Sequence, residues 1–181
     1  MIRNIILLII SLFFFIGWNC SDHDNISDPK TESRTFFYCN FEPNGDNGGG
    51  WNYADSIAKQ FISFSRDVPY ITDYQSLKLQ RDTVTGYIPA IFISVTNSHP
   101  YNNKKYTVNY YSKGRGEILI EINSDGELRT AKIDINNLSW QRFFKETLLC
   151  GTKPETLKIT FKPLANDSIS YLFIDDIVIE D

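Results

Sequence analysis

One long β-strand is predicted at residues 171–181, where the chain reads YLFIDDIVIED. Its β-branched and aromatic residues favour an extended backbone, yet two adjacent carboxylates, Asp175 and Asp176, stand in the middle of the run. Stripping water from an ionised carboxylate is costly unless its charge is compensated. Because successive strand residues face opposite sides, we expect one carboxylate to reach solvent or a sheet edge and the other to meet a partner, most simply a bound cation. Two solvated carboxylates at a sheet rim are the alternative.

The rest of the chain after residue 34 also reads as short strands separated by turns, without a helical period. The other predicted strands are residues 35–42, 61–65, 76–80, 87–95, 105–113, 117–123, 127–135, 140–149 and 156–162, and the predicted turns are residues 113–116, 124–126, 136–137 and 165–167. Residues 57–66 also fit a helix. Short strands at this spacing predict a single all-β domain over residues 35–181, an antiparallel β-sandwich or barrel.

The alternation of residue types assigns the faces of these strands. The apolar positions that we expect to share a core are Tyr106, Val108, Tyr110, Ile118, Ile120, Ile122, Leu157, Ile159 and Phe161. The opposite, polar face carries Asn109, Tyr111 and Glu121, and it is a candidate binding surface.

In this order and spacing the chain resembles the galactose-binding-like jelly rolls that serve as carbohydrate-binding modules, particularly the xylan- and β-glucan-binding type. The matching stretches are Asn40-Phe41-Glu42 before a glycine-rich loop and Trp51, and then SLKL at 76–79, YTVNYYSKG at 106–114, WQRF at 140–143 and FIDDI at 173–177. The resemblance covers residues 35–181, and it implies a two-sheet antiparallel jelly roll.

The resemblance also implies a structural Ca²⁺ ion, because in that family the first and last strands are neighbours and the ion commonly lies between them. Glu42 and Asp175 would then approach one cation, with Asp46 as a possible third carboxylate. Backbone carbonyls would complete the roughly six to eight oxygen ligands that Ca²⁺ takes. The ion would stabilise the fold and take no part in catalysis. Alternatively, Glu42 and Asp46 are side chains of a turn that bind no metal ion.

A polysaccharide or oligosaccharide ligand is the functional implication of the resemblance. Pyranose rings stack on aromatic side chains, while amides and carboxylates bind the hydroxyl groups. Tyr111 with Asn109, Glu121 and Gln141 provides both kinds of group, and Trp51 is a candidate platform at an edge. Because the chain has 13 Phe, 10 Tyr and 3 Trp residues, most of its aromatic side chains must belong to the core, which is the alternative for each platform.

Residues 1–19 are predicted to be a signal peptide. Arg3 precedes an apolar run at 5–18 that is too short for a comfortable membrane span, and Cys20 and a polar stretch follow it. This pattern resembles a bacterial lipoprotein signal of the loose type found in the Bacteroidota, with Cys20 lipidated and residues 20–34 as a polar tether. An outer-membrane or cell-surface lipoprotein is therefore expected, with ordinary secretion as the alternative.

Several function classes are disfavoured. The net charge of −4 and the absence of a basic patch argue against nucleic-acid binding. No catalytic motif surrounds His23 or His99, and Glu117 and Glu121 lie about 13 Å apart along one strand, beyond the carboxylate spacing of either glycosidase geometry. We therefore predict a non-catalytic glycan-binding protein. A protein-interaction lipoprotein of an envelope assembly is the main alternative, and a glycan-active enzyme is the third.

Two further features leave alternatives open. Cys39 and Cys150 would be able to pair in an exported domain or remain separate in the core. Three Asp-Ser/Thr-aliphatic triplets resemble O-glycosylation sites of exported Bacteroidota proteins, and they would be modified at Ser56, Thr83 and Ser168.

Overall fold

A computed structural model describes residues 34–43, 50–70, 73–100, 105–164 and 171–181, with the backbone alone at 145–147. The described residues form nine strands and one short 3₁₀ helix, Ala58–Phe61. The strands are β1 (Thr35–Cys39), β2 (Trp51–Tyr53), β3 (Ile62–Ser65), β4 (Ser76–Gln80), β5 (Ile91–Asn97), β6 (Lys105–Ser124), β7 (Glu127–Leu149), β8 (Glu155–Pro163) and β9 (Tyr171–Glu180). None of the described helices is long and apolar enough to cross a membrane.

All strand pairs are antiparallel, and they build the two layers of a sandwich. The first layer contains β1, β3, β4 and β9, and the second contains β2, β5 and β8. Strands β6 and β7 belong to both layers, since the first part of β6 pairs with β9 and its last part pairs with β8. The predicted all-β sandwich is confirmed.

The corner between the layers lies inside β6 and β7, where turns were predicted at residues 113–116 and 136–137. Both predictions were wrong, because β6 and β7 continue through these positions. Gly114 has a φ of +110°, and both Gly114 and Gly116 lie close against neighbouring backbone. Asn137 is buried and donates from Nδ2 to the Ser112 carbonyl at 2.6 Å. The glycines and the asparagine therefore bend two continuous strands.

Other predicted boundaries are close to the observed ones. The turn at 124–126 is confirmed as a tight hairpin, in which Asp125 and Gly126 both have positive φ, 50° and 85°. Residues 57–66 are part helix and part strand, so each of the two interpretations describes half of the segment. The turn predicted at 165–167 lies outside the described residues.

The core lies between the layers and follows the predicted alternation. All nine apolar positions named above are buried, and the Tyr110 ring of the first layer meets the Phe161 ring of the second with centroids 6.0 Å apart. Cys39 and Cys150 are both buried, and they do not form a disulfide with each other. The open question about this pair is therefore answered in favour of two core cysteines.

The first and last strands are neighbours, as predicted, because β1 pairs along the second half of β9. An ion pair closes the ends of these two strands. Arg34 Nε donates to Asp181 Oδ1 at 3.2 Å, its Nη2 bonds Asp181 Oδ2, and the Asp181 amide donates to the Arg34 carbonyl at 3.1 Å. The Asp181 side chain is fully buried, so Arg34 is the cation that makes its burial tolerable.

Candidate functional site

The two central aspartates lie at a bulge in β9. This bulge falls between the segment of β9 that pairs with β4 and the segment that pairs with β1. Asp176 has a φ of 47°, a left-handed conformation that is strained for a residue other than glycine. The strict alternation expected of Asp175 and Asp176 therefore breaks down here, and Asp175 is buried while Asp176 is half-buried.

Carboxylates from three segments meet beside this bulge. Glu42 Oε1 accepts the Tyr74 amide at 2.7 Å, whereas Glu42 Oε2 and Asp175 Oδ2 are buried without a hydrogen-bond partner among the described residues. The pKa of Asp175 is raised from 3.8 to about 8, mainly by burial and also by the charges of Asp176, Asp73 and Glu42, against the lowering effect of the hydrogen bond from the Asp176 amide. Burial also raises the pKa of Asp176. These groups form a site of high negative potential.

We call Glu42, Asp73, Asp175 and Asp176 the acidic cluster. The cluster fits a hard cation, because two of its buried carboxylate oxygens, Glu42 Oε2 and Asp175 Oδ2, accept no hydrogen bond from a described residue. Glu42 and Asp175, which were predicted to share a cation, both belong to it. Within the described ranges, no three His, Cys, Asp or Glu side chains are arranged closely enough to hold a metal ion by themselves. The predicted third ligand, Asp46, lies outside the described residues, as does Cys20. The Ca²⁺ ion remains a prediction.

A cleft of about 290 Å³ opens beside the acidic cluster, on the outer side of the first layer. We call it the tyrosine cleft. It is lined by Tyr38, Tyr70, Asn109, Tyr110, Tyr111, Arg142, Asp176 and Val178. Strand β6 provides three of these residues, and Arg142 comes from the facing position of β7, opposite Tyr111. Asp176 belongs both to the cleft and to the acidic cluster.

Aromatic rings and an unsatisfied amide define the chemistry of the tyrosine cleft. The Tyr70 and Tyr111 rings meet edge to face with centroids 5.1 Å apart, and their hydroxyl groups are hydrogen-bonded. Asn109 is 8% exposed, and its Oδ1 has no partner among the described residues. Phe144, opposite Asn109 in β7, is 67% exposed. The cleft thus offers ring faces and edges together with a hydrogen-bond acceptor awaiting a donor.

The predicted ligand-binding residues are only partly brought together. Asn109 and Tyr111 line the cleft. Glu121 lies in the second layer, where Lys158 Nζ is 3.7 Å from its Oε2. Gln141 is exposed on β7 but alternates away from Arg142 and does not line the cleft. Trp51 packs against the core on β2, in edge contact with Phe41 and Tyr53.

Four residues of this region were not predicted as site residues, namely Tyr38, Tyr70, Arg142 and Phe144, whereas Asp176 was predicted only as one of two adjacent carboxylates. Alternation along 140–149 places Arg142 and Phe144 on one face, which is a signal that was present in the sequence. Tyr70 lies in a loop, and its approach to Tyr111 has no sequence signal.

The outer face of the second layer has a different character. Glu117 accepts from Lys132 and Lys162, each at 2.7 Å, and Lys158 lies near Glu121. Hydrogen bonds from the two lysines lower the pKa of Glu117 against the effect of its partial burial. The charges of these described residues compensate one another, in contrast to the unpartnered Asn109 oxygen of the tyrosine cleft.

No protein-family model matches the sequence, and a comparison with curated proteins finds no match. Solved structures are similar in fold. The xylan-binding domain of a family 22 carbohydrate-binding module has a TM-score of 0.50 and 12% identity, over 80% of this chain and 93% of that one. The K3 cleaved adhesin domain of Lys-gingipain from Porphyromonas gingivalis has a TM-score of 0.51 and 12% identity, over 82% and 99%. A bacteriophage CBA120 tailspike domain has a TM-score of 0.52 and 13% identity, over 72% of this chain but 19% of that one. The chain therefore has the jelly-roll fold of carbohydrate-binding modules, as the resemblance implied.

Proposed function

We propose that this protein is a non-catalytic glycan-binding protein and that the tyrosine cleft is its binding site. The observation that carries the proposal is the buried side-chain oxygen of Asn109. It accepts no hydrogen bond from a described residue, although it lies in a cleft lined by tyrosines. A sugar hydroxyl would donate to this oxygen while the pyranose ring contacts Tyr70 and Tyr111. The fold supports the proposal only by analogy, since one fold hosts many functions.

We further propose that the domain is held at the cell envelope by a lipid on Cys20, with residues 20–34 as the tether. The support for this is the sequence pattern before and after Cys20. A tethered binding domain at the outer membrane or cell surface would keep polysaccharide close to the cell.

The test is a glycan array with wild-type protein and the Tyr111→Ala variant. We expect wild type to bind at least one glycan and Tyr111→Ala to bind it about ten-fold or more weakly, because both the ring contact and the Tyr70 hydrogen bond are lost. Tyr74→Ala is the matched control, because Tyr74 is 71% exposed and does not line the cleft. An array without any bound glycan, or equal binding by wild type and Tyr111→Ala, would refute the proposal.

A protein-interaction role has one observation in its favour. Strand β7 pairs only with β6 among the described strands, and Leu138, Phe144 and Leu149 are exposed along it. An unpaired edge with apolar side chains is a surface that another chain can extend. A blank glycan array combined with a specific protein partner that competes for β7 would favour this role.

We propose that the acidic cluster holds a structural Ca²⁺ ion. The buried, unpartnered oxygens of Glu42 and Asp175 support this, because a cation would compensate them as no described side chain does. The ion would also stabilise the junction of β1 and β9, which both lie beside the cluster.

Stability measurements with and without Ca²⁺ test this site. With a chelator present, the folded protein keeps a proton on Asp175 that the unfolded chain loses above its ordinary pKa of 3.8. The free energy of unfolding should therefore fall by up to about 1.4 kcal/mol per pH unit as pH rises toward about 8. Adding Ca²⁺ at about pH 8 should raise the melting temperature.

The Asp175→Asn variant should lose both the pH dependence and the Ca²⁺ effect, since the amide has no charge to compensate. Asp134→Asn is the control, because the Asp134 side chain is 72% exposed. An unchanged wild-type melting temperature on adding Ca²⁺ at about pH 8 would contradict the metal site.

A further inference from the structure

Three cations follow the outer face of the first layer next to the aromatic rings. Arg142 lies in the tyrosine cleft opposite Tyr111, and Lys113 follows Tyr111 by two residues on the same face of β6, about 7 Å along the strand. Lys78 and Lys113 face Phe173 from the two strands on either side of it. The cations and the rings therefore form one continuous surface.

The rings hold the lysine ammonium groups in place. Both Lys78 Nζ and Lys113 Nζ lie 5.7 Å from the Phe173 ring centroid, and Lys78 Nζ lies 5.8 Å from that of Tyr171. Lys113 also donates to Asp67 Oδ2 at 2.6 Å. Cation–π contacts leave an ammonium group able to bind an anion, because the ring carries no net charge.

The charge balance differs between the two outer faces. In the second layer, Lys132, Lys158 and Lys162 all form ion pairs with carboxylates. In the first layer, Lys113 is ion-paired with Asp67, and Arg142 acts on the Asp176 carboxylate from a longer distance, but no direct ion pair joins Arg142 or Lys78 to a described carboxylate. Among the described residues, the charges of Arg142 and Lys78 are therefore not neutralised by a direct contact with a carboxylate, which leaves both side chains able to bind an anionic ligand.

One carboxylate, Asp176, also lines the tyrosine cleft. Asp176 lies two residues before Val178, which pairs with Tyr38 of β1, so it lies at the end of the surface next to β1. Phe173, with Lys78 and Lys113 beside it, lies in the opposite direction along β9. Arg142, Lys78 and Lys113 outnumber the Asp67 carboxylate that pairs with Lys113, and they therefore define a net positive side of the surface, which begins at Tyr111 and runs away from the acidic cluster.

We propose that this surface recognises an acidic glycan, whose sugar rings carry carboxylate or sulfate groups, and that Arg142 binds the acidic group at the cleft. This inference rests on the proposed glycan-binding function and specifies the class of ligand. A guanidinium group binds carboxylate or sulfate through paired, charge-assisted hydrogen bonds, while the neighbouring tyrosines contact the sugar ring. Lys113 and Lys78 would receive the acidic groups of the next sugars along the chain.

Matched polymers isolate the contribution of the acidic group. Polygalacturonate and its fully methyl-esterified form share one backbone, and dextran sulfate and dextran share another. With Ca²⁺ present, wild type should bind at least one acidic polymer about ten-fold more tightly than its neutral counterpart, and the preference should shrink as salt is added. The polymer pair that shows the preference distinguishes a carboxylate ligand from a sulfate ligand.

Arg142→Gln should abolish this preference, because it weakens the binding of the acidic polymer far more than the binding of the neutral one. Lys153→Gln removes the same charge from the exposed Lys153–Asp125 pair outside the cleft, and it should keep the preference. Equal binding of acidic and neutral polymers, a preference that survives Arg142→Gln, or equally tight binding of single-stranded DNA would overturn the inference. Binding of neutral glycans that is lost in Tyr111→Ala would then leave the proposed function standing, whereas failure of every glycan to bind would refute both.

Discussion

The Gly114→Ala variant is expected to be about 4 kcal/mol less stable than wild type. Gly114 has a φ of +110°, and a Cβ atom there would overlap the Tyr171 carbonyl oxygen. The unfavourable backbone conformation costs about 1–3 kcal/mol, and the forced displacement of packed backbone costs a similar amount. Chemical denaturation measures the difference, which should lower the melting temperature by about 10 °C.

Gly126→Ala separates the two contributions. Gly126 also has a positive φ, 85°, but no atom lies within 4 Å of the position that its Cβ would occupy. We expect this variant to lose about 1–2 kcal/mol, from backbone strain alone. If Gly114→Ala costs no more than Gly126→Ala, β6 does not bend against β9 as described.

The Arg34→Ala variant is expected to lose about 3 kcal/mol of stability. Removing Arg34 leaves the Asp181 carboxylate buried without its cation, which is the most costly way to break an ion pair. The lost bond to the His99 carbonyl, 2.7 Å long, adds to the effect. Equilibrium denaturation is again the measurement.

Lys153→Ala is the comparison for this prediction. It breaks the ion pair between Lys153 and Asp125, whose side chains are both more than half exposed, and it should cost less than about 1 kcal/mol. Similar losses in the two variants would mean that the contact between the two ends of the domain contributes no more than an ordinary surface ion pair.

The fold was predictable because its strands have clear alternation. Ile118, Ile120 and Ile122 alternate with polar residues, and the structure buries all three. The proximity of β1 and β9 followed from the family resemblance. The corner was not predictable, because the glycines at 114 and 116 are typical of turns, and only the long-range pairing with β9 and β8 shows that the strand continues through them.

The candidate site was predicted only in part, for two physical reasons. Glu121 and Tyr111 have the same parity on β6, but the bend at Gly114 carries them into different layers. Tyr70 approaches Tyr111 through a loop contact that no local pattern encodes. The bulge at Asp175 and Asp176 likewise breaks the two-residue alternation from which we predicted that their side chains face opposite sides of the strand.

Footprinting with hydroxyl radicals, with and without the strongest glycan ligand from the array, tests the central claim most directly. We expect protection of Tyr70, Tyr111 and Phe144 on the first layer, with no change at Phe92 on the second. Protection of Phe92, with Tyr70 and Tyr111 unchanged, would place the ligand on the other face and contradict the account.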